Sequence, residues 1–248
     1  MARLSTSPLG LAVFAGIAAG GLTPPVPASI LLSFSDPSGL SAEAEFTVSG
    51  FAELTVRLKN TSTGAPGGFD NSDQILTGLS WDFGAPGFNG DIAITGGTVL
   101  TGHSSMSINF SILNVGPNAD VSGEWGFGNM DGTGALTNFF STNTAGATPF
   151  GGVNLDGPVA IDGPQGGLVA DPILVALGGL GAIQDEVIVT LTLSDDITEA
   201  QLLNDLTSNL VRVEFGSDAF FITIPTPGAL ALFGLAAVMS GRRRRRTA

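Results

Sequence analysis

The chain has no cysteine, no tyrosine and a single histidine. Each gap narrows the chemistry. Without cysteine there is no disulfide framework, no thiol nucleophile, no Cys-type zinc site and no attachment point for haem. With His103 as the one imidazole, the two or more His or Cys ligands that zinc hydrolase centres usually take are lacking. Basic residues are also scarce, 9 against 22 acidic ones. Arg3 and five terminal arginines lie outside the central body. That leaves Arg57, Lys59 and Arg212 against all 22 carboxylates, a net charge of −19. Such a body repels phosphate backbones and anionic lipid, which excludes a nucleic-acid-binding role. None of the glycine clusters ends in Gly-Lys-Ser/Thr, so no phosphate-cradling loop is present. The echo of Asp156-Gly157-Pro158 in Asp162-Gly163-Pro164 is ordinary turn chemistry, and no longer repeat suggests a solenoid.

What the chain does have is concentrated first at its ends. Arg3 is followed by an uncharged apolar run, Leu9 to Leu22, and then by Thr23-Pro24-Pro25-Val26-Pro27-Ala28. The prolines break a helix, and Val26 and Ala28 put small residues at the third and first positions before a cut. Residues 1–28 therefore read as a secretory signal peptide cleaved after Ala28.

The other end has three parts in fixed order. Pro225-Thr226-Pro227 stops any arriving strand or helix, because proline fixes φ and lacks an N–H. Gly228 to Gly241 is apolar and uncharged, and Arg242, Arg243, Arg244, Arg245 and Arg246 follow it. The arginines stay cytoplasmic by the positive-inside rule, so the body before Pro225 lies outside. The span is shorter than the roughly 20 apolar residues of a permanent anchor. A short span with a charge block reads as a transmembrane sorting helix removed by processing. Arg242 to Arg246 act as the stop-transfer block, and residues 224–248 form the signal.

Between the ends, residues 29–223 read as one all-β domain, long enough to bury a core without disulfides. Residues 42–48 and 54–59 alternate apolar and polar with period two, and Ser49-Gly50 supplies a tight turn between them. Residues 187–193 form the strongest strand, and 211–215 and 220–224 form two more. Weaker strands are expected over 75–83, 92–100, 106–113 and 121–127. Thr198 to Leu203 alone looks helical, with Asp195, Asp196 or Thr198 available as a cap. Gly64 to Gly68, Gly84 to Gly87 and Gly178-Gly179 read as loops. Short strands with glycine-rich turns predict an antiparallel β-sandwich of jelly-roll type.

The terminal arrangement resembles the PEP-CTERM sorting signal of exosortase substrates, with Thr226 where that family usually has glutamate. The body carries a looser resemblance to exosortase-dependent surface proteins. It rests on Leu54 to Ser62, Leu76 to Phe83, Trp125-Gly126-Phe127, Ile161 to Val169 and Val213 to Gly216. The resemblance implies Sec-dependent export, transient residence in the inner membrane and cutting by an exosortase-like membrane protease. It implies display at the cell surface or in extracellular matrix, near surface polysaccharide, and assigns no catalytic residue and no cofactor.

Three local constellations offer alternatives. His103 beside Ser104 and Ser105 is a minimal triad candidate, but no Gly-x-Ser-x-Gly elbow accompanies it. Asp82, Glu124, Asp131 and Glu214 lie near Trp81, Trp125, Phe127 and Phe215, as paired carboxylates and sugar-stacking rings would in a glycosidase or a carbohydrate-binding module. The plainer reading puts the acids on outward strand faces and the tryptophans in the core. Asp70-Asn71-Ser72-Asp73 gathers oxygen ligands in a glycine-flanked loop, making Asp70 and Asp73 the calcium candidates, with Asp156 and Asp162 flanking a second loop. Neither has EF-hand spacing, and Asp and Asn in loops commonly cap turns. Calcium held by Asp70 and Asp73 would add about 2.7 kcal/mol of stability through linkage at a hundredfold excess over Kd, and so raise the melting temperature. Asp73→Ala should remove most of that shift in a thermal melt. No shift at millimolar calcium would mark the loop as a capped turn.

Overall fold

A computed structural model describes residues 29–64, 74–83, 92–108, 116–128, 138–142, 166–174, 181–216 and 220–224. Two sheets share one core among these residues. The first sheet contains β1 (Ser29–Ser35), β2 (Ser41–Gly50), β3 (Glu53–Asn60), β5 (Ile94–Thr101) and β11 (Glu186–Leu193), in the order β1-β2-β3-β11-β5. The second is built on β4 (Leu76–Trp81), β12 (Val211–Phe215) and β13 (Phe220–Ile224). It runs on through β9 (Leu168–Val169) and β10 (Ala182–Gln184) to β6 (Met106–Ile108), and β8 (Asn138–Ser141) joins β4 to β7 (Gly126–Gly128). Pairing is antiparallel throughout the described ladders except between β9 and β10, which run parallel.

Alternation puts the core where the sequence says it should be. In β3, Leu54, Val56, Leu58 and Asn60 are buried and the residues between them are half-exposed. The apolar rows of β2, β3 and β11 meet the inward rows of β4 and β12. Trp81 lies at the centre, edge-on to Phe46 of the first sheet at 5.5 Å, to Phe83 at 5.6 Å and to Phe140 at 6.0 Å. Each such pair contributes about 0.5–1.5 kcal/mol beyond area burial.

The β2–β3 turn is not where Ser49-Gly50 predicts it. It falls two residues later, on Phe51-Ala52. The cause is parity. The inward rows of both strands occupy even positions, so facing partners such as Phe46 and Val56 must sum to an even number. A two-residue turn at 49–50 would pair 48 with 51 and set the inner face of one strand against the outer face of the other. The turn at 51–52 has the same fault, and a bulge between Val48 and Gly50 corrects it.

Other elements also differ from expectation. Residues 121–127 are not one strand: Ser122–Glu124 form a single 3-10 turn before β7. Asp120 Oδ1 accepts from both the N–H and the hydroxyl of Ser122, at 2.9 and 2.6 Å, and this folds the chain back along β5. The helix α1 (Glu199–Ser208) outruns its sequence signal. Thr198 caps it in a capping box with Gln201, and burial of Leu202 and Leu206, one turn apart, carries it through weak helix formers. Strands β1, β8, β9 and β10 had no sequence forecast. Between β1 and β2, Gly39 has φ +97°, and a Cβ there would lie 2.8 Å from the Cα of Gly64. Only glycine permits that turn and that approach.

Asn60, at the inward end of β3, ties the sheets together. Its Nδ2 donates to the carbonyls of Gln74 (3.0 Å) and Leu168 (2.8 Å), and its Oδ1 accepts from the N–H of Ser62 (3.0 Å). The residue is 1% exposed, so no water replaces these partners. Asn60→Ala should cost about 3 kcal/mol, because several buried groups lose their partner at once. Urea unfolding should register this as a lower midpoint at unchanged slope. A loss under about 1 kcal/mol would mean that neighbouring groups take over the bonds.

A second prediction comes from Asp120. The Ser122 hydroxyl, then the Ser122 N–H, hold its carboxyl below the usual carboxylate range. A depressed carboxyl stabilises the fold above its unfolded pKa, and the contribution fades as pH falls through the folded pKa. Asp120→Ala should thus be less stable than the parent at neutral pH and approach it in acid. A stability gap that stays constant down to strong acid would refute the role of the ionised carboxylate.

Candidate functional site

The body's three cations are committed within the fold. Arg57 points outward from β3 and donates from Nε to Glu45 on β2 (3.0 Å) and from Nη1 to Glu186 on β11 (2.7 Å). Burial by itself would lower its pKa, but the hydrogen bonds and charges of Glu186 and then Glu45 raise it above the ordinary arginine value. Lys59 pairs with Asp185 at 3.0 Å. These pairs are partly exposed, so each contributes a modest amount, about 0.2–1 kcal/mol. Arg212, from β12, is buried at 8% exposure. Its guanidinium lies 4.4 Å from the Phe221 ring centre, with Nε 3.4 Å from the Ser80 hydroxyl. The described surface therefore presents carboxylates with few compensating cations.

Among the described residues, the catalytic constellations do not assemble. His103 and Ser104 are exposed in the turn between β5 and β6. Ser105 is buried, and its hydroxyl donates to the carbonyl of Glu186 at 2.9 Å, so it serves the sheet. Asp82 is half-buried. Glu124 and Glu214 are buried, at 2% and 0% exposure, against the expectation of outward-facing acids. For Glu214 the cause is its strand. β12 runs between β4 and β13, and all five of its residues are buried. Glu124 sits in the 3-10 turn beside Trp125. Asp131 lies outside the described residues.

Both tryptophans are at 0% exposure. Trp125 packs tilted against Phe140 at 5.9 Å, on the ring that also meets Trp81. Neither face is open for a sugar to stack upon. Among the described residues, no group of three or more His, Cys, Asp or Glu is placed to hold a metal. Asp70 and Asp73, and Asp156 and Asp162, lie outside those residues.

The loosely resembling segments instead meet as structural clamps. Asn60, from the first, bonds the carbonyl of Leu168, from the fourth. Thr77, from the second, donates its hydroxyl to the carbonyls of Glu214 and Gly216, in the last, at 3.2 and 2.9 Å. Such roles are legible in retrospect. Asn60 is a polar residue at an inward position of an alternating strand, where burial demands partners.

The sorting residues Pro225, Thr226 and Pro227 and the arginines 242–246 lie outside the described residues, as do residues 1–28 with Ala28 and the loops around 65–68, 84–87 and 178–179. The structure does place the strands that adjoin the two terminal segments. β1 begins at Ser29 and β13 ends at Ile224. Register puts both ends on one side of the body. Ser29 is level with Thr47, toward the β2–β3 turn. Ile224 faces Val211 beyond the Arg212–Ser80 pair, next to Trp81, whose ring meets Phe46. Asn60 and Gln74 mark the opposite side. Among the described residues, no helix is long and apolar enough to cross a membrane. No known protein family, curated protein or solved structure matches the chain.

Proposed function

We propose that this protein is an exported, non-enzymatic surface protein of the cell envelope or extracellular matrix. Its body is an acidic, jelly-roll-like β-sandwich delivered by a processed C-terminal signal. The observation that carries this reading is the order of the tail: Pro225-Thr226-Pro227, the apolar span 228–241, and Arg242 to Arg246. Sec machinery threads the chain outward, and the signal peptide is removed after Ala28. The arginines stop translocation, since each costs roughly 2.5–3.5 kcal/mol at the bilayer centre. The span then holds the protein in the inner membrane, with Pro-Thr-Pro at the outer interface, until an exosortase-like membrane protease cuts near it.

The limits of the folded strands support this reading. β1 begins directly after Ala28 and β13 ends directly before Pro225, so cuts after Ala28 and at or beyond Pro225 take nothing from either strand. The buried tryptophans favour it over a sugar-binding module, because stacking needs an exposed ring. Internally paired cations on a body of net charge −19 suit a role in solvent beside surface polysaccharide.

Replacing Arg242 through Arg246 with neutral residues should release the protein with its tail uncut and its body folded. Pro225→Ala with Pro227→Ala should act differently, leaving it held in the membrane and unprocessed. Fractionation with intact-mass measurement separates the two outcomes. If both variants are located and processed like the parent, the tail is not the sorting element.

A further inference from the structure

Phe51 is 84% exposed at the tip of the β2–β3 turn. A lone exposed apolar side chain is ordinary. This one is singled out by how it is held and where it points. Its neighbour Ala52 has φ 51°, a left-handed conformation that strains a non-glycine residue. The strained turn is braced from another element on both sides of Ala52. Its N–H donates to Asp196 Oδ1 at 3.3 Å, and its carbonyl accepts from the N–H of Leu193 at 2.8 Å. The tip is thus fixed with Phe51 directed into solvent.

The tip also lies on the side of the body where β13 ends. Ile224 is near the level of Phe46, through Trp81. From Phe46 to Phe51 is five residues of hairpin, about 16 Å at the usual strand rise. From Ile224 to Gly228, where the apolar span starts, is four residues, at most about 14 Å of chain. The hairpin therefore reaches as far as the linker can.

We propose that Phe51 seats in the membrane interface while the C-terminal span is held in the bilayer, making the β2–β3 tip a second contact of the body with the lipid surface. This rests on the tail reading above. Aromatic and apolar side chains favour the boundary between headgroups and acyl chains. The carboxylates Glu53, Asp195 and Asp196 flank this side. They keep the body from sinking further and favour a zwitterionic surface over an anionic one. The contact is a single ring, so it orients the body and releases readily after the tail is cut.

The absence of cysteine makes the test direct. The full-length chain with Phe51→Cys, and separately with Ser35→Cys on the opposite side, is labelled with an environment-sensitive fluorophore. Each is then reconstituted into phosphatidylcholine vesicles carrying a nitroxide-labelled lipid. The expected result is blue-shifted, strongly quenched emission at position 51 and water-like, unquenched emission at 35. Alkaline carbonate extraction of the same vesicles reports on the tail by itself. A chain retained by the vesicles but unquenched at 51, or quenched alike at both positions, overturns the Phe51 contact alone. A chain released by carbonate overturns the tail reading and the contact together.

Discussion

The buried amide of Asn60 sets how the two sheets meet. A carboxamide in a dry core must find its donors and acceptors among fixed backbone groups, and an unpaired one costs the full desolvation penalty. Asn60 finds the carbonyls of Gln74 and Leu168 on one side and the N–H of Ser62 on the other. Apolar packing is nearly indifferent to small slips of one sheet over another, whereas these bonds are not. With that corner fixed, β4 runs away from it with Leu79 and Trp81 turned inward, and Trp81 arrives beneath Phe46. β12 returns antiparallel to β4 and β13 runs out again beside it, so the side of the body on which β13 ends follows from that far corner.

Strands wet on one face were plain in the sequence. β2, β3 and β11 alternate, because a half-buried strand must. β12 was found from its apolar and β-branched content, but its interior position was not, so Glu214 was expected outside. β4 is buried along its whole length, so nothing in Leu76 to Trp81 tells one face from the other. β9 and β10 are two and three residues long, too short to show a period. β1 begins with Ser-Ile-Leu-Leu, where a leucine on the solvent face interrupts the alternation. The helix begins after Thr198, one of the three cap candidates, and its end is set by the burial of Leu206.

Candidate sites divided in a different way. The readings of the two termini rest on one-dimensional physics: run length, charge and the position of proline. The body's constellations were proximities along the chain, and proximity along a strand alternates between faces. Trp81 and Asp82 are neighbours in sequence, yet one fills the core and the other lies half-exposed. Phe51 had no signal at all, since its exposure depends on the parity of the β2–β3 register and on the bulge that restores it.

The five antiparallel pairs between β12 and β13 take on a mechanical meaning for a pull applied at Ile224. Tension between that exit and the far corner near Asn60 acts along the strand axis. It strains the rungs of the β12–β13 ladder together, in shear, whereas a pull across the axis would open them one at a time. The body therefore resists a pull at Ile224 more strongly than the length of β13 alone would suggest.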